Sequence, residues 1–127
     1  ATWGSANGVL GYGDGQAGAI AQNGLTAYFR RVFTVDNIAR VEFGKISILR
    51  DDGAVCYVNG AEILRDNMPA GAITHDTLAP AGVGNADETR YSADVKFDRS
   101  VMQTGNNLLA CEVHQQSAGS SDLSFDA

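Results

Sequence analysis

Three polar side chains near the end of the chain could bind a ligand. Glu112, His114 and Gln115 lie in or just after an apolar, strand-like segment and offer a carboxylate, an imidazole and an amide. Because side chains alternate between the two faces of a strand, Glu112 and His114 are predicted to share its outward face. They would form a polar ligand platform or an acid–base pair, although a lone histidine is more often structural. Acid–base catalysis also needs a sheltered cleft with a further positioned group, and the sequence indicates neither.

Four further candidates lie close to predicted turns. Arg65 and Asn67 end a predicted hairpin and enter a loop, which is where binding residues tend to lie on a rigid scaffold. Tyr12 and Asp14 belong to a glycine-rich segment, residues 11–15. A tyrosine ring can stack on an apolar ligand surface, and fixed polar groups can bind ligand hydroxyls. The predicted ligand-binding residues are therefore Tyr12, Asp14, Arg65, Asn67, Glu112, His114 and Gln115.

The chain lacks the motifs of common catalytic and nucleotide-binding sites. GxSxG, HExxH, the P-loop and the dinucleotide fingerprint are all missing from the sequence. Residues 11–15 resemble a phosphate loop only superficially, because they lack its lysine and the helix that follows it. We therefore predict that the domain is not an enzyme. A catalytic domain with two opposed carboxylates, as in a glycosidase, is a minor alternative.

The composition disfavours several classes of partner. The chain has 127 residues and a formal net charge of −6, whereas binding to nucleic acid needs a basic surface. The same charge disfavours an anionic membrane, and no apolar segment approaches the roughly 20 residues of a transmembrane helix. With 44% hydrophobic residues, the chain is expected to form a single monomeric domain, residues 1–127.

The hydrophobic pattern predicts an all-β fold. Asn59-Gly60 favours a tight hairpin turn between two short strands, because both residues tolerate positive φ. Further strands are predicted at residues 25–35, 41–49, 89–97, 107–115 and 123–125, and the first 24 residues read as loop with at most one short strand. Such short strands and long connections are typical of an antiparallel β-sandwich. The aromatic residues predicted to lie in its core are Phe29, Phe33, Phe43, Tyr91 and Phe97.

Two readings of the cysteines stay open. Cys56 and Cys111 both lie in strand-like segments, and alternation predicts that both point inward. They are either two buried free thiols or one disulfide that joins two strands. A metal site at these cysteines is not expected, because no CxxC pair or histidine lies nearby in the sequence.

Several segments resemble the galactose-binding-like jelly roll. They are residues 28–33, 51–60 and 105–110, and similar signatures occur in the sugar-binding domain of β-galactosidases and β-glucuronidases. Residues 11–15, 65–69, 112–115 and 121–123 are more similar to non-catalytic modules of secreted bacterial proteins, and the resemblance spans about residues 9–126. It implies an antiparallel jelly-roll sandwich within a larger secreted, extracellular protein.

The resemblance also implies a ligand and a cation. Its members commonly bind carbohydrate and carry structural calcium near their first and last strands. The acids nearest those places here are Asp14, Asp122 and Asp126, which do not form a contiguous loop of the EF-hand kind. We expect a non-catalytic carbohydrate-binding module that targets a parent enzyme to a polysaccharide. The alternative is a structural module that packs on a neighbouring catalytic domain without binding glycan.

Overall fold

The chain folds as strands joined by loops and short 3-10 helices. A computed structural model describes residues 3–22 and 24–127. None of the helices in these two ranges is long and apolar enough to cross a membrane. The 3-10 helices are Ile38–Arg40, Asn85–Asp87 and Arg99–Val101. The strands are β1 (Leu10–Tyr12), β2 (Gly18–Ala19), β3 (Thr26–Val35), β4 (Phe43–Ile46), β5 (Leu49–Arg50), β6 (Gly53–Val58), β7 (Ala61–Asp66), β8 (Val95–Asp98), β9 (Gly105–His114) and β10 (Leu123–Asp126).

Two four-stranded sheets enclose the core. One has the order β3-β9-β6-β7 and is antiparallel throughout. The other has the order β2-β1-β10-β5, in which only the β1–β2 pair is parallel. The rings of Phe29 and Phe125, one from each sheet, stack with centroids 4.7 Å apart. The predicted all-β, sandwich-like arrangement is confirmed, while the jelly-roll connectivity stays a prediction.

The hairpin between β6 and β7 has the predicted turn. Asn59 and Gly60 adopt φ of 50° and 85°, which is the paired positive φ of a tight turn that follows the twist of its strands. The Asn59 side chain also accepts a 3.0 Å hydrogen bond from the Leu108 backbone N–H. The turn is therefore fixed both by its backbone conformation and by contact with β9.

Cys56 and Cys111 form a disulfide between neighbouring strands. They lie directly opposite each other in the register of β6 and β9, and both side chains are buried in the core. The inward orientation predicted from alternation is confirmed. Of the two readings left open, the disulfide is the one that the structure contains.

The predicted strand at residues 89–97 is largely wrong. Only Val95–Asp98 forms a strand, β8, which pairs with β4 in a separate two-stranded sheet. The preceding residues form a loop because Ser92 is held to Ile48 by two hydrogen bonds, from Ser92 N–H to the Ile48 carbonyl (2.7 Å) and from Ile48 N–H to the Ser92 hydroxyl (3.0 Å). Tyr91 and Phe43, both predicted to lie in the core, are instead 47% and 38% exposed.

Candidate functional site

His114 lies on the predicted outward face of its strand, but it is fully buried and does not reach solvent. Its side chain does share a face with Glu112, whose carboxylate lies 3.6 Å from Nε2. The connection after β7 covers this end of the face, and His114 Nδ1 lies 2.8 Å from the Thr77 carbonyl oxygen and 3.0 Å from the Thr26 hydroxyl. The alternation was read correctly, but the long connection fills the space above the imidazole.

Arg65 and Asn67 hold the loop that they were predicted to present to a ligand. The Arg65 guanidinium makes two 2.8 Å hydrogen bonds to Glu62 and donates to the carbonyls of Pro69 and Gly71. The Asn67 amide donates to the carbonyls of Asp52 (3.2 Å) and Ala81 (2.7 Å). Most of their donor groups are thus engaged by the protein itself.

Gln115 and Tyr12 join the first strand to the last turn of the chain. The Gln115 amide nitrogen donates to the Asp122 carbonyl at 2.6 Å and to the Tyr12 hydroxyl at 2.9 Å. The Gln115 side-chain oxygen is buried and has no hydrogen-bond partner among the described residues. Tyr12, Asp14 and Gln115 therefore lie at a different place from Arg65 and Glu112, and the structure does not bring the seven predicted residues together.

The outward face of the β3-β9-β6-β7 sheet has few unpaired polar groups. The Glu112 carboxylate accepts a 2.8 Å hydrogen bond from the Tyr57 hydroxyl, and burial, together with this carboxylate, raises the pKa of Tyr57 to about 12. Next to them, Tyr28 (50%), Val32 (60%) and Leu108 (38%) are exposed. Arg30 is also exposed and lies between Tyr28 and Val32 on this face. The outward face thus carries apolar, aromatic and charged groups, and ligand binding there stays a prediction.

Asp14 and Asp122 do lie together, as predicted for a cation site. Their carboxylate oxygens and one from Glu88 all lie within 4.8 Å of one another. Burial and the nearby Asp14 raise the pKa of Asp122, so the close approach of these carboxylates is costly without a counter-charge. Asp126 lies elsewhere, since its carboxylate accepts a hydrogen bond from the Tyr91 hydroxyl. Glu88 was missed because it belongs to a connection with no recognisable pattern.

A buried aspartate pair borders these acids. Asp51 and Asp52 are each 3% exposed. The two carboxylate oxygens of Asp52 accept hydrogen bonds from the backbone N–H groups of Val83 (2.6 Å) and Gln116 (2.7 Å), which ties two loops to the core. Burial, together with the adjoining Asp52, raises the pKa of Asp51 to about 8. The pair therefore combines one loop anchor with one carboxyl that keeps its proton near neutral pH.

A cavity of about 250 Å³ lies beside the loop that Asp52 anchors. Arg50 and Asp66 line it, and Arg50 Nε donates a 2.9 Å hydrogen bond to the Asp66 carboxylate. The Arg50 and Asp66 side chains are only 19% and 34% exposed. Tyr91 forms another wall, and its hydroxyl is fixed by Asp126 in β10. An aromatic ring whose hydroxyl is hydrogen-bonded and a half-buried ion pair thus line the same small space.

No sequence pattern predicts this cavity. Arg50 and Asp66 belong to strands of two different sheets, and Tyr91 follows an alternating pattern that favours a core strand. Their meeting depends on how the sheets and the loop over residues 82–92 pack. The rule that binding residues lie on loops of a rigid scaffold predicts Arg65 and Asn67, the neighbours of Asp66, and not the cavity itself.

Comparison of the chain with protein-family models, with curated proteins and with solved structures finds no match. The resemblance to galactose-binding-like modules therefore stays a prediction.

Proposed function

We propose that this domain is a non-catalytic carbohydrate-binding module that holds a parent enzyme on a polysaccharide. The observation that supports this best is the Arg50–Asp66 ion pair beside the fixed ring of Tyr91 in one cavity. Small-ligand sites typically combine an apolar wall with a few fixed polar groups, as this cavity does.

The ion pair suits vicinal hydroxyl groups. Arg50 uses only Nε toward the described residues, which leaves both Nη groups as donors, and Asp66 keeps its second carboxylate oxygen as an acceptor. Adjacent hydroxyls on a sugar ring need such a donor and acceptor side by side. The exposed ring of Tyr91 supplies the apolar surface on which a sugar stacks.

The charge and size of the cavity favour a single neutral sugar residue. Two arginines, Arg50 and Arg90, are balanced by Asp66 and Asp87. Its volume of about 250 Å³ is below the roughly 300–1,000 Å³ of sites for drug-sized ligands. We expect affinities of roughly micromolar to millimolar, strengthened by the avidity of the parent protein.

Calorimetric titration with a panel of neutral oligosaccharides tests this proposal. At least one glycan should give saturable heat that Arg50→Gln abolishes. Arg40→Gln is the matched control, because it removes the same charge from an exposed arginine that does not line the cavity. Absence of saturable heat with every glycan would refute the carbohydrate proposal.

A packing module is the second candidate, and the outward face of the sheet favours it. Val32 and Leu108 are directly opposite each other on β3 and β9, and both are exposed, as is Tyr28. Exposed apolar patches often mark interaction surfaces. In the parent protein, slow amide hydrogen exchange across β3 that becomes fast in the isolated domain would support packing on a neighbouring domain.

We also propose a structural calcium ion at Asp14, Glu88 and Asp122, in an extracellular protein. Carboxylate and amide oxygens are the ligands that calcium prefers, and the buried, unpartnered oxygen of Gln115 lies on the amide that contacts Asp122. The disulfide also suits an oxidising compartment. Calcium should raise the melting temperature of the wild type and of Asp36→Asn, but not that of Asp122→Asn. Equal melting temperatures with calcium and with a chelator in the wild type would argue against the ion.

A further inference from the structure

A second cavity lies at the open side of the sandwich, where β3 forms the edge of its sheet. Its volume is about 340 Å³. Apolar side chains from both sheets form its floor, namely Leu10, Phe29, Leu109 and Phe125. Two adjacent arginines, Arg30 and Arg31, border it. The cavity therefore combines an apolar base with a cationic rim.

Arg31 lies on the core-facing side of its strand. Its partner in the register is Leu109, and the preceding pair on that side is Phe29 with Cys111, both in the core. Arg31 is nevertheless exposed, so its guanidinium borders the cavity beside apolar side chains and is open to a ligand from solvent. Arg31 also interrupts the alternation of β3, since Phe29, Phe33 and Val35 occupy other positions on this side.

Neither arginine has a carboxylate partner within the described ranges. Arg50, Arg65 and Arg90 each lie against an acidic side chain. Arg30 and Arg31, like Arg40 and Arg99, form no ion pair in these ranges, even though the chain has 15 acidic and only 9 basic residues. The Arg30 guanidinium instead lies over the Trp3 ring, 4.1 Å from its centroid. Asp126 also lines the cavity, but its two oxygens accept hydrogen bonds from Tyr91 and from the Ala127 N–H.

From this arrangement we infer a second ligand site, distinct from the sugar cavity, for a small organic acid with an apolar or aromatic body. The carboxylate pairs with Arg31, because a guanidinium binds a carboxylate through two parallel hydrogen bonds. The apolar body lies on the floor formed by Phe29, Leu109 and Phe125. Arg30 contributes a second positive charge at the rim, and its contact with Trp3 makes the only tryptophan of the chain a reporter of the site.

Three probes distinguish recognition of the carboxylate from recognition of the apolar ring. Phenylacetate carries both the acid and the ring, acetate only the acid, and benzyl alcohol only the ring. Calorimetry should show saturable binding of phenylacetate, with a parallel change in Trp3 emission, and no saturable binding of the other two. Raised salt should weaken the binding, because the ionic contact at the rim is screened.

Variants assign the effect to the arginine. Arg31→Gln should weaken phenylacetate binding by about tenfold or more, since a charge-assisted pair is lost. Arg31→Lys keeps the charge and should weaken phenylacetate binding severalfold. It provides an independent test of the role of Arg31 if the Arg31→Gln variant does not fold. Arg40→Gln should bind as the wild type does.

Two results would overturn the inference. One is equal binding of phenylacetate and benzyl alcohol, unaffected by Arg31→Gln, which would describe an apolar groove without anion recognition. The other is no saturable binding of phenylacetate by the wild type. In that case Arg31 only protects an edge strand from pairing with another chain, and Arg31→Gln should self-associate. Neither result depends on glycan binding in the other cavity, because the probes carry no sugar.

Discussion

The Tyr91 hydroxyl donates a hydrogen bond to the carboxylate of Asp126, 35 residues further along the chain. This bond is the first cause of the raised pKa of Tyr91. It joins the loop that follows the second 3-10 helix to the last strand, β10. The bond thereby holds an exposed ring as one wall of the cavity of about 250 Å³ that we propose as a sugar site.

Two substitutions of Tyr91 should distinguish the contribution of its ring to glycan affinity from that of its hydrogen bond. Tyr91→Phe keeps the stacking surface and loses the hydrogen bond, so glycan affinity should fall only a few-fold. Tyr91→Ala removes the ring, and affinity should fall by up to about tenfold, since aromatic contacts contribute roughly 0.5–1.5 kcal/mol. Tyr28→Ala, on the outward face, should have no effect in the same calorimetric titration. A larger loss in Tyr28→Ala than in Tyr91→Ala would move the site to the outward face.

Reduction of the disulfide should destabilise the domain strongly. The bond between Cys56 and Cys111 closes a separation of 55 residues, for which chain entropy predicts about 4 kcal/mol. The midpoint of urea unfolding should fall markedly in reducing buffer. A Cys56→Ala/Cys111→Ala double variant should show a low midpoint in both buffers. Equal midpoints for the wild type with and without reductant would rule the bond out as a stabilising element.

Asp51 should make the domain less stable as the pH rises. Its pKa is 3.8 in the absence of the fold and about 8 in the folded chain, so between these values the folded state binds the extra proton. The free energy of unfolding should therefore decrease from about pH 4 to pH 8, and the full penalty is present above pH 8. Asp51→Asn should lack this decrease when both proteins are unfolded with urea in the presence of a chelator. Parallel pH profiles for the two proteins would contradict the assignment.

Gly11 should be intolerant of any side chain. A Cβ atom at this position would lie 1.8 Å from the Leu123 carbonyl oxygen in the neighbouring strand β10. Because the clash is with backbone, Gly11→Ala should cost about 1–3 kcal/mol or more. Gly4→Ala is the matched control, since nothing lies within 4 Å of its Cβ. Urea unfolding should show a lowered midpoint only for Gly11→Ala, and similar midpoints for both variants would refute the packing at β1.

The sequence predicts a strand well when its partner strand shows the same alternation of apolar and polar residues. β3 and β9 pair along their full lengths, from Thr26 with His114 to Val35 with Gly105, so alternation alone locates them closely. Residues 89–94 show equally good alternation and form no strand, because Ser92 is bonded to Ile48 instead. Alternation reports which side chains could share a face, but not whether a partner strand is present.

The candidate site could be predicted only in part for a related reason. The family resemblance predicts a cation near Asp14, Asp122 and Asp126. Asp14 and Asp122 meet because β1 and β10 are neighbours in the sheet, whereas Asp126 contacts Tyr91 instead. Arg50 and Asp66 meet across two sheets, and no local pattern encodes that contact. His114 shows the converse, since its face was predicted correctly but the connection that buries it was not.

The central claim is that a sugar binds beside Tyr91. Mapping amide chemical shifts during titration with an oligosaccharide that binds in calorimetry tests it most directly. The proposed module predicts saturable shifts at Arg50, Asp66 and residues 82–92, with little change at Tyr28 and Glu112 on the outward face. Shifts confined to the outward face, or no shift with any glycan, would contradict a sugar site beside Tyr91.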